Sequence, residues 1–328
     1  MQKYLCVKGS GGGGLGDAVR SVLTGIVYAK LTGRTLYVDW RHGVFDIPGV
    51  NAFDKLLRLH GIDSVEFLPK PDSIAPLAWR GRLQHTMHDV YVADGNSAWS
   101  RKHALEHYSI DISKLDHPEE VLVLWDFDQL PKLIPLYNEK FNFDYDLFGL
   151  MSHVLREHLS LNVVIQNNID LFFQNCLPRP CAGVHVRSTL EASRVKALVD
   201  LPAYYEVLDR VMEQHDDITL FLATDNLTVE NEIKRRYVNV VVREKWFAAK
   251  GDSLHLNKSC PNLLESTMDA VVEMFLLAYC DYLTVSSNSS FSIISRIASV
   301  AQPDRIMVLS PKTSIAGKIK QLTHRLAS

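Results

Sequence analysis

Gln2-Lys-Tyr-Leu-Cys-Val-Lys8 is an apolar run of strand length, and the residues that follow it decide the fold. Gly9-Ser-Gly-Gly-Gly-Gly-Leu-Gly16 reads as a loop, Asp17 to Leu31 as a helix closed by Gly33, and Thr35-Leu-Tyr-Val-Asp39 as a second strand. This is a βαβ opening, which requires parallel strands because the helix must cross over between them. Further along, the pattern predicts a helix over 51–59, short strands at 89–93 and 121–125, and helices over 144–159 and 162–175. Leu177-Pro-Arg-Pro180 breaks the helical pattern, and a second alternating series begins. It reads as strand 181–187, helix 202–215, strand 218–222, helix 227–236 and strand 238–242, then helix 262–279, strand 282–285, helix 290–299, strand 305–309 and a terminal helix near 314–326. The expectation is an α/β chain of two Rossmann-like domains, 1–177 and 178–328, facing each other across a cleft. Packing of the terminal helix back across the domain junction is expected too.

Composition narrows the function. A chain of 328 residues, 47% hydrophobic and 22% charged, is a globular protein with a large core. A formal charge of −3 supplies no basic field for phosphate neutralisation, so nucleic acid is not the expected partner. Five cysteines without a C-x-x-C pair form neither a disulfide framework nor a zinc ribbon, which points to a reducing compartment. The first apolar run is too short for a secretory signal, and the apolar stretch from Ala270 to Val285 carries Glu273 and Asp281, so no membrane span is expected. The cytoplasm follows as the expected location. A peripheral place at the inner membrane face is the variant that the basic, one-sided terminal helix (Ile315, Ile319, Leu322 and Leu326 opposite Lys318, Lys320 and Arg325) would allow.

Chemistry-bearing residues gather at the carboxyl ends of the strands of the second series. Cys181-Ala-Gly-Val-His-Val-Arg187 ends with His185 and Arg187 on one side, because alternate strand residues share a face. The carboxyl edge of such a sheet is its ligand crevice, and a guanidinium placed there suits a diphosphate. Thr224-Asp225-Asn226, Glu273 and Ser286-Ser-Asn-Ser-Ser290 fall at the same edge or on the helices that follow. Asp225 can accept from a nucleotide hydroxyl or cap the next helix; Ser289 and Ser290 can donate to phosphate or cap theirs. Glu265, Asp269 and Glu273 share a helix face, and Glu273, set in Val271-Val-Glu-Met-Phe-Leu-Leu277, needs a partner. No histidine or aspartate pattern completes a metal site, and none is expected.

In the first series, Gly13 and Gly14 let a ligand approach bare backbone at a helix amino end, and Asp17 either complements the helix dipole or acts as a base. The loop also satisfies G-x-G-x-x-G with Asp39 at the end of the next strand, so an NAD-dependent dehydrogenase is a rival reading; six glycines, however, match almost any glycine spacing. Trp79, Tyr91, Trp99 and Trp125 read either as a platform for a sugar acceptor or as core.

Several short blocks, in order along the chain, resemble the NodZ-like fucosyltransferase family, which includes the bacterial nodulation enzymes and, more distantly, the eukaryotic α-1,6-fucosyltransferases and protein O-fucosyltransferases. They are Gly14-Leu-Gly-Asp17, Leu31-Thr-Gly-Arg-Thr-Leu-Tyr-Val-Asp-Trp-Arg41, Asn51-Ala-Phe53, Gly183-Val-His-Val-Arg187, Leu222-Ala-Thr-Asp225, and Glu265 to Ser292 with Asp281-Tyr-Leu283 and Ser289-Ser-Phe-Ser292. The resemblance implies a GT-B-like arrangement, a GDP-sugar donor such as GDP-fucose held by the second domain, and inverting transfer to a glycan hydroxyl without a metal or other cofactor. It implies that Arg187 holds the donor diphosphate with His185 beside it, and that Asp225, Glu273 and Ser289 or Ser290 contact the nucleotide. The chain departs from the family after Arg187, running Ser-Thr-Leu-Glu-Ala-Ser-Arg194 where relatives carry a further arginine or histidine. The base is then Asp17 or the nearby Glu191. The acceptor is a free or lipid-linked glycan. A heptosyltransferase-like enzyme with another nucleotide sugar, and a non-catalytic glycan- or nucleotide-binding protein, are the remaining alternatives.

Overall fold

In the first segment, β1 (Tyr4–Lys8), α1 (Leu15–Thr32) and β2 (Thr35–Asp39) make the expected βαβ unit, with β1 and β2 parallel. The structure, a computed structural model, describes residues 2–9, 13–41, 50–188, 200–248 and 259–311. α1 begins at Leu15, with Gly14 extended at its amino end, and stops at Gly33, whose φ of 69° lets its N–H reach back to Ala29 O at 2.7 Å. Close approach of α1 to the sheet depends on Gly25: a Cβ there would lie 2.3 Å from Val7 Cγ2.

The rest of this half comprises α2 (Ala52–Leu56), β3 (Leu57–Leu59), β4 (Ile74–Ala75), α3 (Met87–Ala93), α4 (Arg101–Tyr108), β5 (Val121–Leu124), α5 (Ile134–Phe141), α6 (Leu147–His158), β6 (Leu159–Leu161) and α7 (Val163–Cys176). β2, β1, β5 and β4 form one parallel sheet in that order, and β3 pairs antiparallel with β6. The strand expected at 89–93 is instead the helix α3. Thr86 Oγ1 accepts from Asp89 N at 3.0 Å while Asp89 Oδ2 accepts from Thr86 N at 3.2 Å. This capping box starts a helix and overrides the β preference of Val90-Tyr-Val92. The helix expected over 51–59 likewise ends at Leu56, where Leu57–Leu59 leaves to pair with β6.

The second series follows the predicted alternation: β7 (Cys181–Val186), α8 (Leu201–Gln214), β8 (Thr219–Thr224), α9 (Leu227–Arg236), β9 (Val240–Val241), α10 (Leu263–Tyr279), β10 (Tyr282–Ser286), α11 (Ser290–Ala298) and β11 (Ile306–Leu309). All pairs in its sheet, ordered β11-β10-β7-β8-β9, are parallel. β7 and β8 are buried along their whole length, as central strands of a sheet covered on both faces must be. The terminal helix expected near 314–326 lies outside the described residues. No helix among the described residues is long and apolar enough to cross a membrane.

The chain divides into two compact α/β units, one within 1–171 and 261–272, the other within 172–260 and 273–328. Each sheet has a point where the strand order reverses. In the first, the chain leaves β1 toward β2 and returns on the other side as β5; in the second it leaves β7 toward β8 and returns as β10. Ligands of open α/β sheets bind at the carboxyl ends of the strands flanking such a reversal.

Candidate active site

In the second unit the reversal lies between β7 and β10, and a hydrogen bond spans it. His185, near the end of β7, holds Ser292 Oγ through Nδ1 at 2.7 Å, and its ring lies 4.6 Å from that of Phe291. Ser292, in the first turn of α11, also accepts from Ser286 N at 3.3 Å, so its hydroxyl ties the end of β10 to the His185 ring. Burial pushes the His185 imidazolium down to about 3; the Arg187 and Lys245 charges add to the effect, and Asp225 opposes it. At neutral pH the ring is an uncharged hydrogen-bonding group, not a proton shuttle.

This shift has a measurable consequence for folding. The unfolded chain takes up the proton near pH 6.5 and the folded chain only near pH 3, so the contribution of His185 is complete above about pH 6.5 and is lost as pH falls toward 3. Urea unfolding is expected to show a stability loss of up to about 1.4 kcal/mol per pH unit from this one proton. His185→Gln should remove that part of the slope; identical slopes for the two proteins would count against a neutral His185.

Arg187 follows β7 directly. Its NH1 lies 2.7 Å from Asp225 Oδ2, while Asp225 Oδ1 accepts from Ser188 N at 2.9 Å. Asp225 therefore fixes the strand end that carries the guanidinium. It does not cap α9: that part falls to Asn226, whose Oδ1 accepts from Thr228 N at 2.8 Å and whose Nδ2 reaches Ser188 Oγ at 3.2 Å. Arg187 stays partly exposed while Asp225 is buried, so the cation is the member of the pair able to meet a ligand. Ser289, the residue before α11, uses no side-chain cap hydrogen bond, and Ser290 opens the helix. The amide donors of that first turn thus lie on the far side of the reversal from Arg187.

Glu273 has the partner its apolar setting required. Both its carboxylate oxygens accept from Lys245 Nζ, at 2.6 and 2.7 Å, in an ion pair buried on both sides. Sequence reasoning missed Lys245. The signal was a lone buried carboxylate, which demanded a cation without saying which one. Of the rest of the acidic stripe, Glu265 is exposed and Asp269 half-buried. Glu191 lies outside the described residues.

In the first unit Gly13 is buried and Gly14 precedes α1, its carbonyl accepting from Ala18 N at 3.1 Å. Asp17 is buried in the first turn, 3.5 Å from Arg20 NH1. Asp39, the acid of the dinucleotide reading, is committed elsewhere. It accepts from Lys8 Nζ at 2.6 Å and from Arg41 at 2.8 and 2.9 Å. Burial alone would raise its pKa, but the Arg41 hydrogen bonds and the Lys8 charge hold it below the usual carboxylate range. Of the four aromatic candidates, Trp79, Tyr91 and Trp125 are core, and only Trp99 is accessible, at 42%. Among the described residues no group of three or more His, Cys, Asp or Glu side chains is placed to hold a metal ion.

Nodulation protein Z of Azorhizobium caulinodans is 23% identical over 298 residues, which cover 82% of this chain and 81% of that protein. The crystal structure of NodZ α-1,6-fucosyltransferase soaked with GDP-fucose superposes with a TM-score of 0.62 at 17% identity, over 91% of this chain and 93% of that one. The chain resembles the NodZ-like fucosyltransferases over most of its length. Its fold is the GT-B-like one of those fucosyltransferase structures. The structure of POFUT1 in complex with GDP-fucose gives a TM-score of 0.53 at 14% identity, covering 95% of this chain and 98% of that one. No family model matches the sequence.

Proposed function

We propose that this protein is an inverting, metal-independent glycosyltransferase that moves fucose from GDP-fucose to a hydroxyl of a glycan acceptor. The observation that carries the reading is the presence, at the carboxyl ends of the neighbouring strands β7 and β10, of the Arg187 guanidinium, the neutral His185–Ser292 link and the amino end of α11. In this reading 178–328 is the donor side and 1–177 the acceptor side. As the bond from sugar to diphosphate breaks, negative charge grows on the diphosphate. Arg187, paired with the buried Asp225, and the first-turn amides of α11 stabilise that charge. Neutral His185 offers the donor site a hydrogen-bonding ring without charge. Lys245 and Glu273 support the donor pocket as a buried, mutually neutralising pair. Ser289 and Ser290 contact phosphate, and Gly13 and Gly14 leave room on the acceptor side. Asp17 is the described candidate for the base that takes the acceptor proton, with Glu191 as its rival. The cytoplasm is the proposed location.

A thermal-shift panel tests the donor assignment. GDP-fucose should raise the melting temperature most, since a ligand at a hundred times its Kd adds about 2.7 kcal/mol of stability. GDP-mannose should act more weakly, and UDP-sugars and NADH should have no effect. A shift with NADH or a UDP-sugar and none with GDP-fucose would overturn the proposal. Product analysis with GDP-fucose and a glycan panel then separates transfer from binding alone.

A further inference from the structure

The carboxyl end of β5, beside β1 at the reversal of the first sheet, carries Trp125-Asp-Phe-Asp128. Every residue of this tetrapeptide is held. Trp125 O accepts from Ser21 Oγ at 3.3 Å, and the Trp125 ring meets that of Trp99 edge-on at 6.0 Å. Asp126, fully buried, accepts three hydrogen bonds of 2.8 to 3.1 Å from Arg101. Asp128 pairs with Arg20 at 2.5 Å and with Arg101 at 2.9 Å. Phe127 is faced by both guanidiniums, at 4.9 and 5.2 Å from the ring centre. Asp17 joins the same network through Arg20.

Three groups on this rigid frame remain open to solvent: the Trp99 ring, the Arg101 guanidinium and the Asp128 carboxylate. Together they offer a flat apolar face, a planar set of donors and a planar acceptor. A pyranose needs this combination, since its C–H face stacks on an aromatic ring while neighbouring hydroxyls both donate and accept. The mutual ion pairs fix the polar groups beforehand, so little side-chain freedom is lost on binding. Charge decides between ligand classes. At the open edge the Asp128 carboxylate stands as an acceptor, which disfavours a phosphate or an acidic sugar next to it and admits a neutral one.

We propose that Trp99, Arg101 and Asp128 form a subsite for a neutral pyranose of an oligosaccharide acceptor; its place in the reaction rests on the transferase reading above. The test probes an array of neutral and acidic pyranose oligosaccharides with the labelled full-length chain, and measures GDP-fucose affinity by calorimetry in parallel. The native protein should bind neutral oligosaccharides and not acidic ones. Trp99→Ala should weaken that binding by about tenfold, the worth of one aromatic contact. Trp99→Phe should restore most of it, and GDP-fucose affinity should be the same in all three proteins, which also reports that each is folded. Undiminished array binding by Trp99→Ala, a preference for acidic sugars, or no oligosaccharide bound by the native protein would overturn the subsite and leave the donor reading standing. Oligosaccharide binding that depends on Trp99 but comes without GDP-fucose binding would support the subsite and remove the donor assignment.

Discussion

Replacing Arg187 with alanine is expected to lower fucose transfer at saturating donor by on the order of a hundredfold or more, the usual effect of removing a preorganised charge-stabilising donor. The interpretation must separate two consequences of the change, because Asp225 is buried and loses its cation in the same substitution. Asp225→Asn and the double variant Arg187→Ala/Asp225→Asn resolve them. If Arg187 acts on the departing diphosphate, the double variant remains as slow as Arg187→Ala although its stability recovers. Arg187→Lys should fall between the two, since it keeps the charge but loses the planar fork. Native-like turnover by Arg187→Ala with saturating GDP-fucose would dismiss the proposed role.

The largest loss of stability is expected at the other sheet. Asp39→Ala removes the carboxylate that neutralises Lys8, whose ammonium is buried and is otherwise held by the carbonyls of Leu83 and His85. Stranding a buried charge in this way costs about 3–5 kcal/mol. Urea denaturation should therefore show a large drop in midpoint. Lys8→Met/Asp39→Leu, which removes both charges, should recover much of it, although Arg41 then loses its partner as well. An Asp39→Ala protein as stable as the native one would mean that water or a rearranged backbone reaches Lys8. The same experiment bears on function, because a carboxylate this committed to two cations is poorly placed to serve a ribose.

The architecture was legible because its signals were local and repeated. Each buried parallel strand is a short apolar run, each crossover helix has its own period, and the prolines at 178 and 180 mark the break between the two series. The strand expected at 89–93 failed for a local reason as well: Val90-Tyr-Val92 looks like strand until the Thr86–Asp89 capping box is given its weight. At the site, the strand pattern predicted that His185 falls near the carboxyl end of β7 with Arg187 at its edge, and β7 does run from Cys181 to Val186. What a strand pattern cannot supply is the partner of each charge. That Asp225 braces Arg187, that Ser292 fixes His185, and that Lys245 answers Glu273 are contacts between segments far apart in the chain. Sequence showed only that buried polar groups would need answering. The aromatic candidates divided for the same reason: Trp79 and Trp125 vanish under neighbouring helices and strands, while Trp99 does not.

The uncharged imidazole of His185 has a consequence for the surroundings in which such a protein can operate. A ring that resists protonation until about pH 3 keeps the same hydrogen-bonding pattern in a neutral compartment and in a mildly acidic one. As far as this residue is concerned, acidity reaches the protein through the balance between native and denatured chains, and leaves the carboxyl end of β7 in the native form unchanged.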